Sequence, residues 1–322
     1  MSDNQRPSGW LVIDKPQGLT SNQVVGRVRR ALGAKAGHAG TLDPLATGVL
    51  PVAVGEATKT IVFAMNGPKR YRFRICWGIA RSTDDAEGEI VGESAARPER
   101  AAIEAMLPRF AGKIMQTPPA YSALKICGRR SYALARAGQA PLLTARPVEI
   151  FSLRMIETLG PDHADFEALV GKGTYIRALA RDLAVSLGTL GHIAALRRLS
   201  VGPFAETDAI SLETVCNAQH IAFDCGSLLP IGTALAGVPA VTLAGAEADR
   251  LRYGQRVALR ESFHMAQPDE LDAGTVVSAW HDHTLVALVK VEGLQTGMCR
   301  AHSVSGSDRS GYCRPPAFAQ SE

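Results

Sequence analysis

Apolar and polar positions fall into runs whose spacing changes along the chain. Trp10-Leu11-Val12-Ile13 is continuously apolar and stops at Asp14-Lys15-Pro16, which predicts a short buried strand entering a turn. Thr20 and Gln23 stand at capping-box spacing. Val24, Val25, Val28 and Leu32 then recur on one face of a helix, with Arg27 and Arg30 turned away and Gly33 as the stop. Turn residues crowd residues 37–51, so that stretch reads as loop, not core. Residues 57–65 fit a short helix. Residues 70–77 alternate: Tyr71, Phe73, Ile75 and Trp77 point one way and Arg70, Arg72 and Arg74 the other. That is a half-buried strand with a cationic outer face.

Residues 97–109 read as a helix. Residues 148–157 and 165–170 read as paired strands, and Gly171-Lys172-Gly173-Thr174 leads into a helix over 175–187. Strands before, between and after helices predict an α+β domain over roughly the first 230 residues. A second, mostly β unit is expected after Leu228-Leu229-Pro230, with strands over 274–279 and 285–291 and a helix over 246–253. Beyond Arg300 the chain is rich in Ser, Gly and Pro, and a disordered tail is expected over 301–322.

The length of 322 residues suits about two domains. Hydrophobic residues at 46% and charged residues at 20% exclude a disordered or fibrous chain. No apolar run reaches the roughly 18 residues of a membrane span, and residues 1–9 lack the apolar core of a secretory signal. The six cysteines form no CxxC pair, so neither a zinc ribbon nor a dense disulfide framework is expected, and the reducing cytoplasm is the expected compartment.

The net charge of +4 says little, but its distribution says more. Residues 112–148 hold Lys113, Lys125, Arg129, Arg130, Arg136 and Arg146 and no acid. Such a stretch repels itself unless something anionic covers it. Arg27, Arg29 and Arg30 form a second cluster; Lys69, Arg70, Arg72 and Arg74 a third; Arg197 and Arg198 a fourth. Any one reads as a solvated face; together they point to a nucleic acid.

Gly37-His38-Ala39-Gly40-Thr41-Leu42-Asp43-Pro44 carries candidate chemistry. Its glycines leave room for close approach, and Pro44 biases Asp43 to extended backbone. By spacing alone such an Asp is a turn former. Held this way, it is also placed for nucleophilic or base chemistry.

The run continues Leu45-Ala46-Thr47-Gly48-Val49-Leu50-Pro51, and the whole closely resembles the active-site signature of the TruB family of tRNA pseudouridine synthases. Ile13-Asp14-Lys15-Pro16-Gln17-Gly18-Leu19-Thr20-Ser21 resembles that family's amino-terminal motif. Lys69-Arg70-Tyr71-Arg72, Pro118-Pro119-Ala120-Tyr121-Ser122-Ala123-Leu124-Lys125, Gly173-Thr174-Tyr175-Ile176-Arg177 and Leu196-Arg197-Arg198-Leu199 are similar to its later blocks. The likeness runs in order over residues 9–205.

The resemblance implies a pseudouridine-synthase fold: a mixed, largely antiparallel central sheet flanked by helices over residues 1–228, with an RNA-gripping insertion over 112–148. It also implies a small β-rich, PUA-like RNA-binding domain over 229–300, on the likeness of Ala248-Asp249-Arg250-Leu251-Arg252-Tyr253-Gly254-Gln255. The implied reaction isomerises uridine 55 in the T-loop of tRNA, with no cofactor and no metal. Breaking N1–C1′ makes C1′ electron-deficient, which calls for a nearby carboxylate. By the match, Asp43 is nucleophile or base, Arg177 pairs with it, and Tyr71 stacks on the flipped uracil and assists proton removal from C5. Tyr175 and Leu196 line the uracil pocket, and His38 helps fill the gap left by the extruded base. Lys15 counts with the substrate-binding residues, as does Asp85, which matches an acidic position near the active site that orients Arg177 or a neighbour. Here the family spelling changes, because Ser82 stands for the first acid of Ser82-Thr83-Asp84-Asp85. The implied partner is tRNA, held by its T-arm and acceptor stem, with the protein a monomer and no membrane involved. Competing readings are a non-catalytic tRNA-folding chaperone and a metal nuclease using Asp84, Asp85 and Glu87. His281 and His283 sit at strand spacing but lack a Cys partner for zinc.

Overall fold

The computed structural model describes residues 7–122, 143–217, 227–258 and 274–291, together with short strands at 125–126, 129–130 and 298–302. The chain opens with β1 (Gly9–Lys15), α1 (Ser21–Leu32), β2 (Ala36–His38) and β3 (Thr47–Val54). Helix α2 (Ile61–Asn66) leads to β4 (Lys69–Trp77), then to β5 (Ile79–Arg81) and β6 (Ile90–Glu93), which pair with each other. Next come α3 (Arg100–Met106), β7 (Gly112–Gln116), the two-residue strands β8 (Lys125–Ile126) and β9 (Arg129–Arg130), then β10 (Arg146–Leu159) and β11 (His163–Val170). Helix α4 (Ile176–Ser186), β12 (Gly191–Val201), β13 (Phe204–Ala205), β14 (Ala209–Ser211) and α5 (Leu212–Asn217) follow. The last group is β15 (Ala240–Thr242), α6 (Gly245–Arg252), β16 (Val257–Ala258), β17 (Val276–His281), β18 (Thr284–Val291) and β19 (Met298–His302).

The main sheet runs β14-β1-β3-β12-β4-β11-β10-β7, with β2 added to β3 and β13 to β12. Only β1/β14 and β3/β12 pair in parallel, so the sheet is mixed and largely antiparallel, as expected. The continuous apolar run of β1 is explained by its place between β14 and β3: Trp10, Leu11, Val12 and Ile13 are all buried. Helix α1 has the expected capping box, Gln23 N–H donating to Thr20 Oγ1 and Thr20 N–H to Gln23 Oε1, and it ends at Gly33 with φ 58°.

Strand β4 alternates as its sequence predicts. Tyr71, Phe73, Ile75 and Trp77 are buried, with Phe73 stacked on Phe166 at 5.5 Å and Trp77 edge-on to it at 6.2 Å. Its outer face is not simply cationic. Arg74 makes a two-pronged ion pair with Asp165 and Arg70 pairs with Glu167, both across to β11. The acids come from the facing strand, so β4 alone could not reveal them.

The stretch 37–51 is loop only over residues 39–46. The turn residues beyond it serve a central strand: Gly48 through Val54 are buried in β3. Gly48, at φ 95°, faces the β12 backbone, where a Cβ would overlap the Arg198 carbonyl. Pro51 stands opposite Val12 in the β1 ladder, and its carbonyl accepts from Ala39 N–H at 2.9 Å. Gly and Pro mark close approach here, not irregular chain.

The second sheet runs β15-β17-β18-β19-β16, with α6 against it. Asp282 and His283, both at positive φ, form the two-residue turn between β17 and β18. His283 is thus a turn residue, while His281 Nδ1 lies 2.9 Å from the Leu243 carbonyl oxygen. An apolar cluster of Trp10, Phe204, Ile231, Leu235, Leu285 and Leu288 joins this unit to the back of the main sheet. Arg136, with residues 123–124, 127–128 and 131–142 of the basic insertion, and residues 303–322 lie outside the described residues. Among the described residues no helix is long and apolar enough to cross a membrane.

Gly48→Ala must force a side chain into the left-handed region against β12 backbone. It should cost at least about 2 kcal/mol and lower the melting temperature by roughly 4 °C or more. An unchanged calorimetric melt would refute this account of β3.

Candidate active site

The loop between β2 and β3 carries Asp43, and its backbone is pinned at nearly every residue. Arg198, fully buried on β12, donates Nη2 to Gly40 O at 3.0 Å, Nη1 to Thr41 O at 3.4 Å and Nε to Val49 O at 2.8 Å. Ser21, the first residue of α1, accepts from Leu42 N–H at 2.8 Å and donates to Leu42 O at 3.0 Å. Gly18 N–H donates to Pro44 O, and Ala46 N–H to Asp43 O. Lys15 Nζ, inside the protein, donates to Leu19 O at 2.6 Å, Pro16 O at 2.9 Å and Pro44 O at 3.3 Å. Burial pulls the Lys15 ammonium down to about 8, with Asp43 and Glu87 pulling the other way.

Arg177 comes from the first turn of α4, where Gln116 holds the backbone of Tyr175 by both its N–H (2.8 Å) and its C=O (3.2 Å). Its Nε stands 3.0 Å from Asp43 Oδ2, a close ion pair that lacks the alignment of a hydrogen bond. Nη1 donates to Thr83 O at 2.8 Å and lies 3.5 Å from Asp85 Oδ2, while Nη2 donates to Tyr121 O at 2.8 Å. Asp85 is fixed from below by Thr83 Oγ1 and the Glu87 N–H. The side chains of Arg177 and Asp85 are 5% and 4% exposed, that of Asp43 is 35% exposed. Only Asp43 in this trio can be reached from outside. Desolvation raises its pKa, Arg177 opposes that rise and Asp85 adds to it.

The remaining expected site residues sit around this trio. Tyr71, on β4, is buried and registers opposite Arg198. Leu196 lines a cleft of about 310 Å³ with Leu45, Phe73, Gln17, Thr47 and Arg72. Tyr175 is half-buried, with the Arg146 guanidinium 5.3 Å from its ring centre. His38, on β2, has a buried Nδ1 without a hydrogen-bond partner, and burial with Arg198 nearby lowers its pKa. Among the described residues no hydrogen bond or ion pair joins Asp43 to Tyr71, His38, Tyr175 or Leu196.

Several cations read as surface clusters are buried or paired within the protein. Arg198 is buried under the Asp43 loop. Arg197 is paired with Asp14 and Glu206. Lys69 is buried on the carbonyls of Met65 and Gly67. Sequence reading missed Arg198, Ser21 and Gln116 as supports of the site. None left a signal of its own, since β12 carries adjacent Arg197 and Arg198 without a regular alternation. Asp84 and Asp85 bind different arginines, and among the described residues no group of three His, Cys, Asp or Glu could hold a metal ion.

Two family models match the chain: "TruB family pseudouridylate synthase (N terminal domain)" over residues 29–176 and "tRNA pseudouridylate synthase B C-terminal domain" over 177–235. The tRNA pseudouridine synthase B of Rhodospirillum rubrum is 53% identical over 88% of this chain and 92% of its own length. That of Caulobacter vibrioides is 49% identical, with the same coverage. A Cbf5-Nop10-Gar1 complex contains a chain of similar fold, with TM-score 0.69 and 26% identity over 90% of this chain and 80% of that one. The archaeal box H/ACA sRNP Nop10-Cbf5 complex, at TM-score 0.67 and 24% identity, covers 90% of this chain and 81% of that one and shares the fold.

Replacing Arg177 with Met removes the cation that holds Asp43 ionised. The Asp43 carboxyl pKa, followed by NMR titration, should rise by at least about one unit over wild type. An unmoved titration would show that Arg177 does not set the charge of Asp43.

Proposed function

Because the chain belongs to the TruB family of pseudouridine synthases, we propose that it converts uridine 55 in the T-loop of transfer RNA to pseudouridine. The N1–C1′ bond breaks, the uracil turns over, C5 bonds to C1′, the proton on C5 leaves and N1 regains one. The product is an isomer, so no net oxidation or group transfer is needed, and in this reading the chain's own side chains do the acid–base and electrostatic work. The observation that carries this reading is the exposure contrast within one cluster: Asp43 is open while the Arg177 and Asp85 that orient it are enclosed. A carboxylate held that way suits attack on C1′ or removal of the 2′ proton.

Roles for the other residues belong to the same proposal. Tyr71 stacks on the flipped base, Tyr175 and Leu196 wall its pocket, and His38 occupies the gap in the stack. Lys15, spent on three carbonyls, acts by fixing the Asp43 loop. The acid-free stretch 112–148 grips phosphates of the T-arm, which offsets the few kcal/mol of unstacking. We place the catalytic unit at 1–228 and the RNA-binding unit that meets the acceptor stem at 229–300. The enzyme acts as a monomer in the cytoplasm.

Asp43→Asn should lower tritium release from tRNA carrying 5-tritiated uridine by about a thousandfold or more, with RNA binding retained. Unchanged release would leave only a tRNA-folding role. Mapping should find unmodified uridine 55 in a strain lacking the gene; pseudouridine still present there would sink the positional assignment.

The acid limb of kcat/KM follows from the charge Asp43 must carry. Its folded pKa lies above the ordinary 3.8, and only the ionised form can attack C1′ or take a proton. Activity should therefore fall, as pH is lowered, through an apparent pKa above 3.8. A limb at or below the ordinary carboxylate value would contradict it.

A further inference from the structure

Helix α4 presents a second arginine, Arg181, one turn behind Arg177 on the same face. The two guanidiniums make parallel bridges. Arg177 spans from Thr83 O to Tyr121 O. Arg181 spans from Asp84 Oδ2 at 2.9 Å to Thr117 O at 2.8 Å, with Asp182 as a further partner. Each therefore ties the turn over residues 82–88 to residues 117–121, the segment of the basic insertion that follows β7.

The turn itself is strained. Asp84 sits at φ 59°, a conformation that Asp tolerates only with support. Its backbone is stitched to Arg81 O and to Ile193, whose N–H donates to Asp84 O. Its carboxylate, 16% exposed, is held by Arg181. The next residue is Asp85, which faces Arg177. Twisting Asp84 out of the left-handed region would re-aim Asp85 and withdraw Thr83 O from Arg177.

We infer that Arg181 is a positioning residue for the reaction: by locking the Asp84 turn and the root of the insertion together, it sets the aim of Asp85 and Arg177 on Asp43. Arg181 does not contact Asp43; it acts through the neighbouring pair. The ion pair Arg181–Asp84 keeps the strained turn in place. The bond to Thr117 O keeps that turn in register with the segment that enters the RNA-gripping stretch. This inference rests on the function proposed above.

The test compares wild type, Arg181→Met, Arg181→Lys, Asp85→Asn and the double variant Arg181→Met/Asp85→Asn by tritium release from tRNA across a pH series. Arg181→Met should lower kcat about tenfold with KM within about twofold, because the loss is one of aim and not of RNA contact. Its acid limb should move to higher pH, as Arg177 supports the Asp43 charge less well. Arg181→Lys, which keeps the charge and can reach one partner, should recover part of kcat. Against Asp85→Asn, adding Arg181→Met should cost less than about twofold, since both act on one path. A kcat for Arg181→Met within about twofold of wild type, a loss confined to KM, or a fully additive double variant would overturn the inference while leaving the function standing. An inactive wild type would overturn both. Should Arg181→Met not fold, Asp84→Asn breaks the same pair with Arg181 retained, and the same outcomes decide.

Discussion

A part-exposed carboxylate set beside buried charges keeps its position only if the backbone that carries it is held. In this protein the Asp43 loop is held by a pair of buried cations spent on main-chain oxygens. Arg198 and Lys15 donate their hydrogen bonds to carbonyls, and neither forms a close ion pair with a carboxylate among the described residues. Their charges are absorbed by the carbonyls of the loop that carries Asp43 and of the turn beside it. Hydrogen bonds from charged donors to carbonyls are worth about 1.5–3 kcal/mol each, and a buried charge that loses them is costly. The loop is therefore coupled to α1, to the turn after β1 and to β12 at once. It shifts only if several buried charges are uncovered.

Lys15 and a third cation, Arg177, also shape the field. Asp43, partly desolvated, would drift toward its neutral form without them, and Asp85 pushes it the same way. Arg177 is thus shared between two acids, and the buried one is anchored by Thr83 and Glu87 N–H. A single guanidinium keeps an open carboxylate charged while a closed carboxylate keeps the guanidinium aimed. Burial supplies the strength of these interactions, because the enclosed members have little water to screen them.

Clustered cations in a sequence do not have one meaning. Arg70 and Arg74 answer acids on β11, Arg197 answers Asp14 and Glu206, and Arg198 and Lys69 are interior. Nothing within those clusters distinguishes an RNA-facing arginine from one that completes a sheet. The partners of Arg70 and Arg74 lie on another strand nearly a hundred residues away, and Asp14, one of the two partners of Arg197, lies almost two hundred away.

Period and punctuation were enough to predict β1, α1, β4, the β10/β11 pair and α4. Each is set by contacts a few residues apart: alternation toward a core, a capping box, a glycine stop. The motif around Asp43, with the blocks that follow it in order, was enough to reach the family and the Asp43–Arg177 pair. What the chain by itself could not show was that Gly48 and Pro51 belong to a buried strand, that Arg198 lies beneath the loop, or that Arg181 and Asp84 form a second latch. Those are decided by which strands become neighbours. Strand order brings residue 198 against residue 48 and residue 84 against residue 193. Local pattern records which face of an element is apolar; it holds no record of which distant element that face will meet.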